Sequence, residues 1–497
     1  MTQIDIAEES KESKTVESYD IDKALGVIFK DITKYAPAKI VGTLVNLLTV
    51  HIYTNLMMPE QYGLYMVATG VISFLAIIFS DWIGISALRF FREHFKTDNV
   101  KSYFSTVLLL MVINLSVMYL LSFVFFDLIT EHFKIEPKFL MIVLALMIPI
   151  PVRALMFQIL RAQIKPLCYT FSIILNQLTT VAFACYFITQ YHMGAEAILF
   201  GMGLSITFID SIMLFQTRFY KSIHFGKMNV KILGGLYKYG TPLALSSLGM
   251  WLITQSDRFV VQHIKGSEYN GHLGVGYNLT FSIMMPLVSI LGLAAIPRII
   301  NYYEDNNDVR PIITKLAGMY FRWFLPLAFF LCIYAEEMVK IFSNKNFENA
   351  HILIPFLAIS AFCLGLADLT TLQYHLVKKT YINMYLRLVS GAFGIALNII
   401  LLQTLGLFAV GISALASQFL YLLLSYVIKI KHIDWIFPIT SVTKTFIAII
   451  AGFGMTLLAR YFIGAGNMLL FLTHAGAFVL TYIAVIKYLP LFNECER

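Results

Sequence analysis

The feature that most constrains this chain is a long succession of apolar stretches, each of about the length that crosses a bilayer. A span needs about 20 mostly apolar residues, and its backbone polar groups must be satisfied within the segment. With 58% hydrophobic and 13% charged residues, the chain has too little polar surface for a water-soluble fold of this size. The sequence therefore predicts an all-α polytopic membrane protein with about fourteen transmembrane helices. The predicted spans are 37–57, 62–88, 103–126, 139–160, 167–189, 196–217, 239–262, 273–296, 312–335, 352–376, 382–402, 407–428, 441–461 and 466–488.

Two matching segments indicate that the chain contains its own fold twice. KYAP at residues 34–37 and KYGTP at residues 238–242 each open a long apolar helix. Arg89 and Arg298 then stand at equivalent ends of the second and eighth spans. This spacing predicts two six-helix lobes in the same orientation, related by an axis along the membrane normal, with two helices added afterwards.

The repeat divides the chain into five predicted parts. They are a cytoplasmic N-terminal tail with an interfacial helix (1–36), a first lobe (37–217), an inter-lobe loop (218–238), a second lobe (239–428) and two C-terminal helices (441–488). The interfacial helix is predicted because apolar residues repeat at helical spacing between 21 and 32.

The distribution of the basic residues indicates membrane topology rather than binding to nucleic acid. The formal net charge is +8, but Lys and Arg are dispersed among alternate short loops instead of forming one basic domain. The loops between them hold few such residues, among them Lys134, Lys265 and Lys340. By the positive-inside rule, the basic loops and both termini are predicted to be cytoplasmic. No signal peptide precedes the first span, which is expected to act as its own insertion signal.

Several arginines lie within or at the ends of predicted spans. A charge at the bilayer centre costs roughly 2.5–3.5 kcal/mol, so such a residue should face a cavity and mark function. An arginine guanidinium stays charged and binds phosphate through paired N–H donors. Arginines in the spans therefore favour an anionic substrate. The predicted substrate-binding residues are Arg89, Arg153, Arg258, Arg298, Arg322 and Arg387. For Arg89 and Arg298, a role as topology anchors at the cytoplasmic interface is an open alternative.

Four aspartates are candidates for ion coupling, because a carboxyl buried in hydrocarbon can take up and release a proton. They are Asp81, Asp210, Asp257 and Asp368. Structural pairing inside the protein is the alternative interpretation for Asp257. No catalytic arrangement, metal-ligand spacing or Gly-rich phosphate loop is present, so the sequence predicts no enzyme activity, metal or cofactor.

A series of short motifs, taken in order, resembles the Wzx-type polysaccharide flippases of the multidrug/oligosaccharidyl-lipid/polysaccharide (MOP) exporter superfamily. The motifs are KYAPAKI (34–40), MPEQYGLY (58–65), LRF (88–90), SDRF (256–259), ALNIIL (396–401) and LGLFAVG (405–411). The resemblance covers nearly the whole chain. It implies a MATE-like, alternating-access protein of the bacterial inner membrane.

The resemblance also implies a substrate: an undecaprenyl-diphosphate-linked oligosaccharide, turned from the cytoplasmic to the outer leaflet for surface polysaccharide biosynthesis. Sugar and diphosphate are expected to enter a cationic cavity between the lobes while the lipid tail stays in the bilayer. A glycan polymerase and assembly proteins are further expected partners, and nucleic acid is not.

Other functions stay open at this point. A small-molecule or drug exporter of the same superfamily would favour an aromatic, carboxylate-rich pocket over several arginines. A membrane glycan polymerase or glycosyltransferase would need acid and base groups on a substantial loop, and the longest predicted external connection, 336–351, shows no such arrangement. An accessory scaffold of a glycan assembly complex could keep the fold without transport.

Overall fold

The structure is a computed structural model in which the described residues form helices and short connections. The described ranges are 39–95, 100–133, 136–163, 165–217, 229–305, 307–430, 433, 435–463 and 468–488. The predicted interfacial helix of the tail 1–36 and most of the predicted loop 218–238 lie outside these ranges.

Nineteen α-helices follow one another within the described ranges. They are α1 (39–56), α2 (Pro59–Ala76), α3 (Trp82–Phe95), α4 (Val100–Val124), α5 (Phe126–Phe133), α6 (Pro137–Leu146), α7 (Pro149–Ala162), α8 (Pro166–Tyr191), α9 (Ala195–Thr217), α10 (Val230–Gln255), α11 (Asp257–Ile264), α12 (Ser267–Glu304), α13 (Arg310–Ile333), α14 (Ala335–Phe342), α15 (Ile354–Leu376), α16 (Thr380–Leu405), α17 (Leu407–Val427), α18 (Ile439–Ile463) and α19 (Met468–Tyr488). A π-helical turn, Ile77–Asp81, joins α2 to α3, and a 3₁₀-helix, Lys345–Ile352, precedes α15.

Every predicted span coincides with one or more of these helices, which confirms the all-α membrane fold. Among the described residues, eleven helical segments are long and apolar enough to cross a membrane. The three other predicted spans correspond to α1, to α10 with α11, and to α19. The total of about fourteen transmembrane helices stays a prediction.

Prolines act differently in different spans. The fourth predicted span, 139–160, is broken at a proline: α6 ends at Leu146 and α7 starts at Pro149, the position where a missing N–H is tolerated. In contrast, α12 and α13 continue through Pro286 and Pro326, so these prolines do not interrupt their helices.

The seventh span differs most from its predicted bounds. Its helix α10 starts at Val230 rather than at residue 239 and ends at Gln255, and α11 begins at Asp257. Asp257 thus lies in the first turn of α11, where the positive end of the helix dipole favours a carboxylate. The predicted single helix 239–262 is therefore two helices.

The repeat partners α2 and α12 are in direct contact at one end of the bundle, named here the Met58 end because it holds the α1–α2 connection. A Cβ placed on Gly63 would lie 1.8 Å from the Ser267 carbonyl oxygen, and one on Gly271 would lie 2.1 Å from the Pro59 carbonyl oxygen. The two backbones therefore touch where only glycine fits.

The α2–α12 contact does not continue to the other end of the bundle, named the Arg89 end. Among the described residues, α12 packs closely on α2 but makes little contact with α3, which continues the same span. Instead α10 packs on α3, with the rings of Trp82 and Tyr237 5.2 Å apart. The two predicted lobes thus meet through different helices at the two ends.

Gly63→Ala is expected to lower the free energy of unfolding by about 1–3 kcal/mol, because overpacking at a backbone contact forces the helices apart. Thermal unfolding in detergent measures this change. The matched control is Gly42→Ala, where nothing lies within 4 Å of the added methyl group. Equal stability of the two variants would contradict the direct α2–α12 contact.

Candidate substrate-binding site

The ten predicted site residues fall into three separate charged networks and three further positions. The first network joins Asp81, Arg153 and Asp210; the second contains Asp257 and Arg258; the third contains Asp368 and Arg387. The remaining residues are Arg89, Arg298 and Arg322.

The first network lies inside the predicted first lobe. Arg153 Nη1 donates to Asn176 Oδ1 at 2.9 Å, and both Asp81 and Asp210 interact electrostatically with this guanidinium. Asp81 ends the π-helical turn of the second span, and such turns are frequent at functional sites. Asp210 is 5% exposed, and its Oδ1 has no hydrogen-bond partner among the described residues. Two carboxylates therefore act electrostatically on one guanidinium.

The second network lies at the contact between the lobes. Arg258 is 7% exposed and donates through Nη1 to the Met66 carbonyl at 3.2 Å and to Thr69 Oγ1 at 3.1 Å, both on α2. The hydrogen bonds of this guanidinium therefore link α11 in the predicted second lobe to α2 in the predicted first lobe.

Asp257, its neighbour, is held within the second lobe. Asp257 accepts hydrogen bonds from Asn398 Nδ2 at 2.9 Å and from the Tyr277 hydroxyl at 3.3 Å. These bonds agree with the structural interpretation of this carboxylate.

The third network is built on α15, α16 and α17. Arg387 Nη2 lies 3.1 Å from Asp368 Oδ1, and Arg387 Nε donates to the Tyr421 hydroxyl at 3.1 Å. The Tyr421 hydroxyl donates in turn to Asn383 Oδ1 at 2.7 Å, which fixes the position of the phenol. The side chain of Asp368 is 41% exposed and that of Arg387 is 15% exposed, so this ion pair lies at an open surface inside the helix bundle.

The open surface beside Arg387 is a cavity of about 520 Å³ between α12, α13, α15 and α16. Asp368, Thr371 and His375 line it from α15, and Ser289 lines it from α12. Pockets for small molecules span about 300–1,000 Å³, so this one can hold a diphosphate and part of a sugar. The lining residues of α12 and α15 belong to the halves of these helices nearer the Arg89 end.

The three other arginines occupy different surroundings. Arg89 and Arg298 are exposed near corresponding ends of the two repeat spans, as predicted from their spacing. Arg322 is half-buried on α13, and its backbone carbonyl accepts a hydrogen bond from the Tyr482 hydroxyl of α19. Of the six predicted arginines, Arg387 lines the 520 Å³ cavity, whereas Arg153 and Arg258 belong to separate networks. A chamber shared by arginines of both lobes stays a prediction.

His375 and Tyr421 are cavity and network residues that the sequence analysis did not identify. His375 interacts electrostatically with both Arg387 and Asp368. Helical spacing could have suggested His375, because it follows Asp368 by about two turns and so shares its face of α15. Nothing in the local sequence marks Tyr421, because its partners are on other helices.

Two family models match the chain. The model of the polysaccharide biosynthesis protein family matches residues 28–303, more than half of the chain, and the MatE model matches residues 242–400. No curated protein sequence gives a significant match.

Solved structures share the fold at low sequence identity. The lipid II flippase MurJ in an inward closed conformation is 16% identical, with 95% of this chain and 100% of that chain covered and a TM-score of 0.73. An inward-facing multidrug resistance MATE family transporter of the MOP superfamily is 13% identical, with 78% and 93% covered and a TM-score of 0.66. An outward-facing MATE transporter is 16% identical, with 82% and 96% covered and a TM-score of 0.54.

The family match extends over the whole predicted first lobe and into the second, and the shared fold covers nearly the whole chain. The chain belongs to the polysaccharide biosynthesis protein family, and it is a polytopic membrane protein with the fold of the lipid II flippase and MATE transporter structures.

Proposed function

We propose that the protein is a flippase that moves an undecaprenyl-diphosphate-linked oligosaccharide from the cytoplasmic to the outer leaflet of the bacterial inner membrane, for surface polysaccharide biosynthesis. The observation that carries this proposal is the cavity with Arg387 on its wall, since Arg387 lies on a helix long and apolar enough to cross a membrane. The lipid II flippase that shares the fold supports a lipid-linked substrate.

Arg387 and His375 line the cavity and can each donate N–H hydrogen bonds to the phosphate oxygens of the diphosphate. Arg387 is paired with Asp368, so the headgroup would compete with this carboxylate for the guanidinium. The exposure of Asp368 makes the exchange feasible, because the released carboxylate can be hydrated within the cavity. A diphosphate also carries more negative charge than one carboxylate and can accept paired hydrogen bonds from the guanidinium.

The packing of the repeat helices supports an alternating-access cycle. If the basic loops are cytoplasmic, the Met58 end faces outward and the α2–α12 glycine contact closes it. The TM-score is higher for the inward-facing than for the outward-facing MATE structure, which agrees with this assignment. To release substrate outside, the lobes would separate at Gly63 and Gly271, and Arg258 would lose its bonds to α2.

The membrane potential can drive the proposed direction. Moving one elementary charge through 100 mV is worth about 2.3 kcal/mol, so an inside-negative potential favours outward passage of an anionic headgroup. Asp81, Asp210, Asp257 and Asp368 stay candidates for ion coupling.

Export of a small cationic drug is the second candidate function. The match to the MatE model favours it, and so does the exposed carboxylate of Asp368 in the cavity. Such an exporter would bind the cation at Asp368 and would leave Arg387 as its counter-charge.

Reconstitution into liposomes distinguishes the two candidates. We expect the protein to accelerate the transfer of a fluorescent undecaprenyl-diphosphate-linked sugar between leaflets. A membrane-impermeant quencher measures this transfer, because it removes the fluorescence of the outer leaflet only. Efflux of a lipophilic cationic dye should equal that of protein-free liposomes. Dye efflux without sugar-lipid transfer would replace the flippase proposal with the exporter.

A further inference from the structure

A second cavity, apolar rather than charged, lies next to the one that holds Arg387. It measures about 200 Å³ and lies between α12 and α13, with Leu287, Ile290 and Leu291 on one wall and Met319 and Leu327 on the other. Leu291 lines both cavities, so the apolar groove and the charged cavity meet at this side chain.

The groove exists because its two helices share a neighbour without packing tightly on each other. Both α12 and α13 pack closely on α15, but they touch each other at few points. Pro326 lies within the part of α13 that lines the groove, and a proline in a helix removes one backbone hydrogen bond and bends the axis. Trp323, 50% exposed, also lines the groove.

We propose that this groove, Leu287 to Leu291 facing Met319 to Leu327, holds the first isoprene units of the lipid whose diphosphate binds Arg387. The proposal rests on the proposed function. A polyprenyl diphosphate carries its charge and its hydrocarbon on neighbouring atoms, and the two cavities present a charged wall and an apolar wall on either side of Leu291. A cavity of about 200 Å³ has room for roughly seven groups of ~30 Å³ each, which corresponds to one or two five-carbon units.

The assignment gives the lipid tail a defined exit. The tail would leave the charged cavity between α12 and α13, while the rest of the chain lies in the bilayer. Because apolar burial contributes about 0.8 kcal/mol per CH₂ group, even a short prenyl chain should bind more tightly than its headgroup alone.

Binding of two soluble probes tests the groove: inorganic diphosphate, and geranyl diphosphate with its two isoprene units, the latter also in competition with excess phosphatidylglycerol. The intact protein should bind geranyl diphosphate at least tenfold more tightly than inorganic diphosphate, and the phospholipid should not compete. Leu287→Trp, which fills the groove, should remove this advantage while leaving the affinity for inorganic diphosphate within twofold. Ile400→Trp, at a 68% exposed position of α16, is the matched control and should change neither affinity.

Each other outcome has a distinct meaning. If neither diphosphate binds the intact protein, the proposed function and the groove assignment fail together. If both bind equally well, or if Leu287→Trp leaves the preference for geranyl diphosphate intact, the groove assignment alone fails. Competition by phosphatidylglycerol would show an acyl-chain site and overturn the isoprenoid assignment.

If the Leu287→Trp variant does not fold, photoaffinity labelling of the unmodified protein tests the groove instead. Geranyl diphosphate with a photoreactive diazirine at its tail should label peptides containing Met319 or Trp323. Labelling confined to α18 and α19 would overturn the assignment of the isoprene units to this groove.

Discussion

Arg387→Ala is expected to weaken binding of undecaprenyl diphosphate by at least tenfold and to abolish leaflet transfer in liposomes. A hydrogen bond to a charged group contributes about 1.5–3 kcal/mol, and each 1.4 kcal/mol is a factor of ten in affinity. Arg387 is the predicted arginine on the cavity wall, and its Nε bond to Tyr421 orients the guanidinium. Microscale thermophoresis of the detergent-solubilised protein measures the binding.

Asp368→Asn is the matched variant, and we expect it to change the affinity for the diphosphate in the opposite direction. Removing the carboxylate that is 3.1 Å from Arg387 leaves the guanidinium free for phosphate, so binding of the diphosphate should tighten. Arg387→Lys keeps the charge but loses the planar fork and should give an intermediate affinity. If Arg387→Ala and Asp368→Asn shift the affinity in the same direction, the cavity does not act as an anion site. A cation exporter would instead lose binding in Asp368→Asn.

The second large effect concerns stability rather than transport. Arg153→Ala is expected to lower the free energy of unfolding by about 1–3 kcal/mol, because it leaves the buried Asn176 Oδ1 without its hydrogen-bond donor. The substitution also removes the positive charge near Asp210, a carboxylate that is 5% exposed. Thermal unfolding in detergent, at equal detergent and lipid content, measures the change.

Neutralising the carboxylates as well provides the control for the Arg153 network. Arg153→Met combined with Asp81→Asn and Asp210→Asn should recover most of the lost stability, since no unpaired charge remains. Asp210→Asn alone should be mild, because Asp81 still accompanies the arginine. A stable Arg153→Ala protein that fails to bind diphosphate would contradict this account and favour the predicted substrate role of Arg153.

The sequence was sufficient to predict the helices and much of their order. Long apolar runs are local signals, which is why each predicted span coincides with one or more helices. Spacing between the halves also placed Arg89 and Arg298 at corresponding exposed ends. The early start of α10 at Val230 was missed because Lys231 and Lys238 make this stretch look like a loop, although both fit a helix that emerges from the membrane.

The grouping of the charges could not be predicted, because it depends on which faces of distant helices meet. The six arginines looked equivalent as guanidinium groups in apolar spans. In the fold, Arg258 donates to carbonyl and hydroxyl groups of α2, and Arg153 donates to Asn176 of α8. Only helix packing leaves Arg387 and Asp368 at an open cavity, and only packing brings Tyr421 from α17 to the same site.

The most direct measurement is a cryo-electron microscopy structure of the full-length protein in nanodiscs with an undecaprenyl-diphosphate-linked sugar. We expect density for the diphosphate within hydrogen-bond distance of the Arg387 guanidinium, with the Asp368 carboxylate displaced from its present contact. Density for the diphosphate beside Arg153 or Arg258, with the Arg387–Asp368 pair intact, would contradict the account.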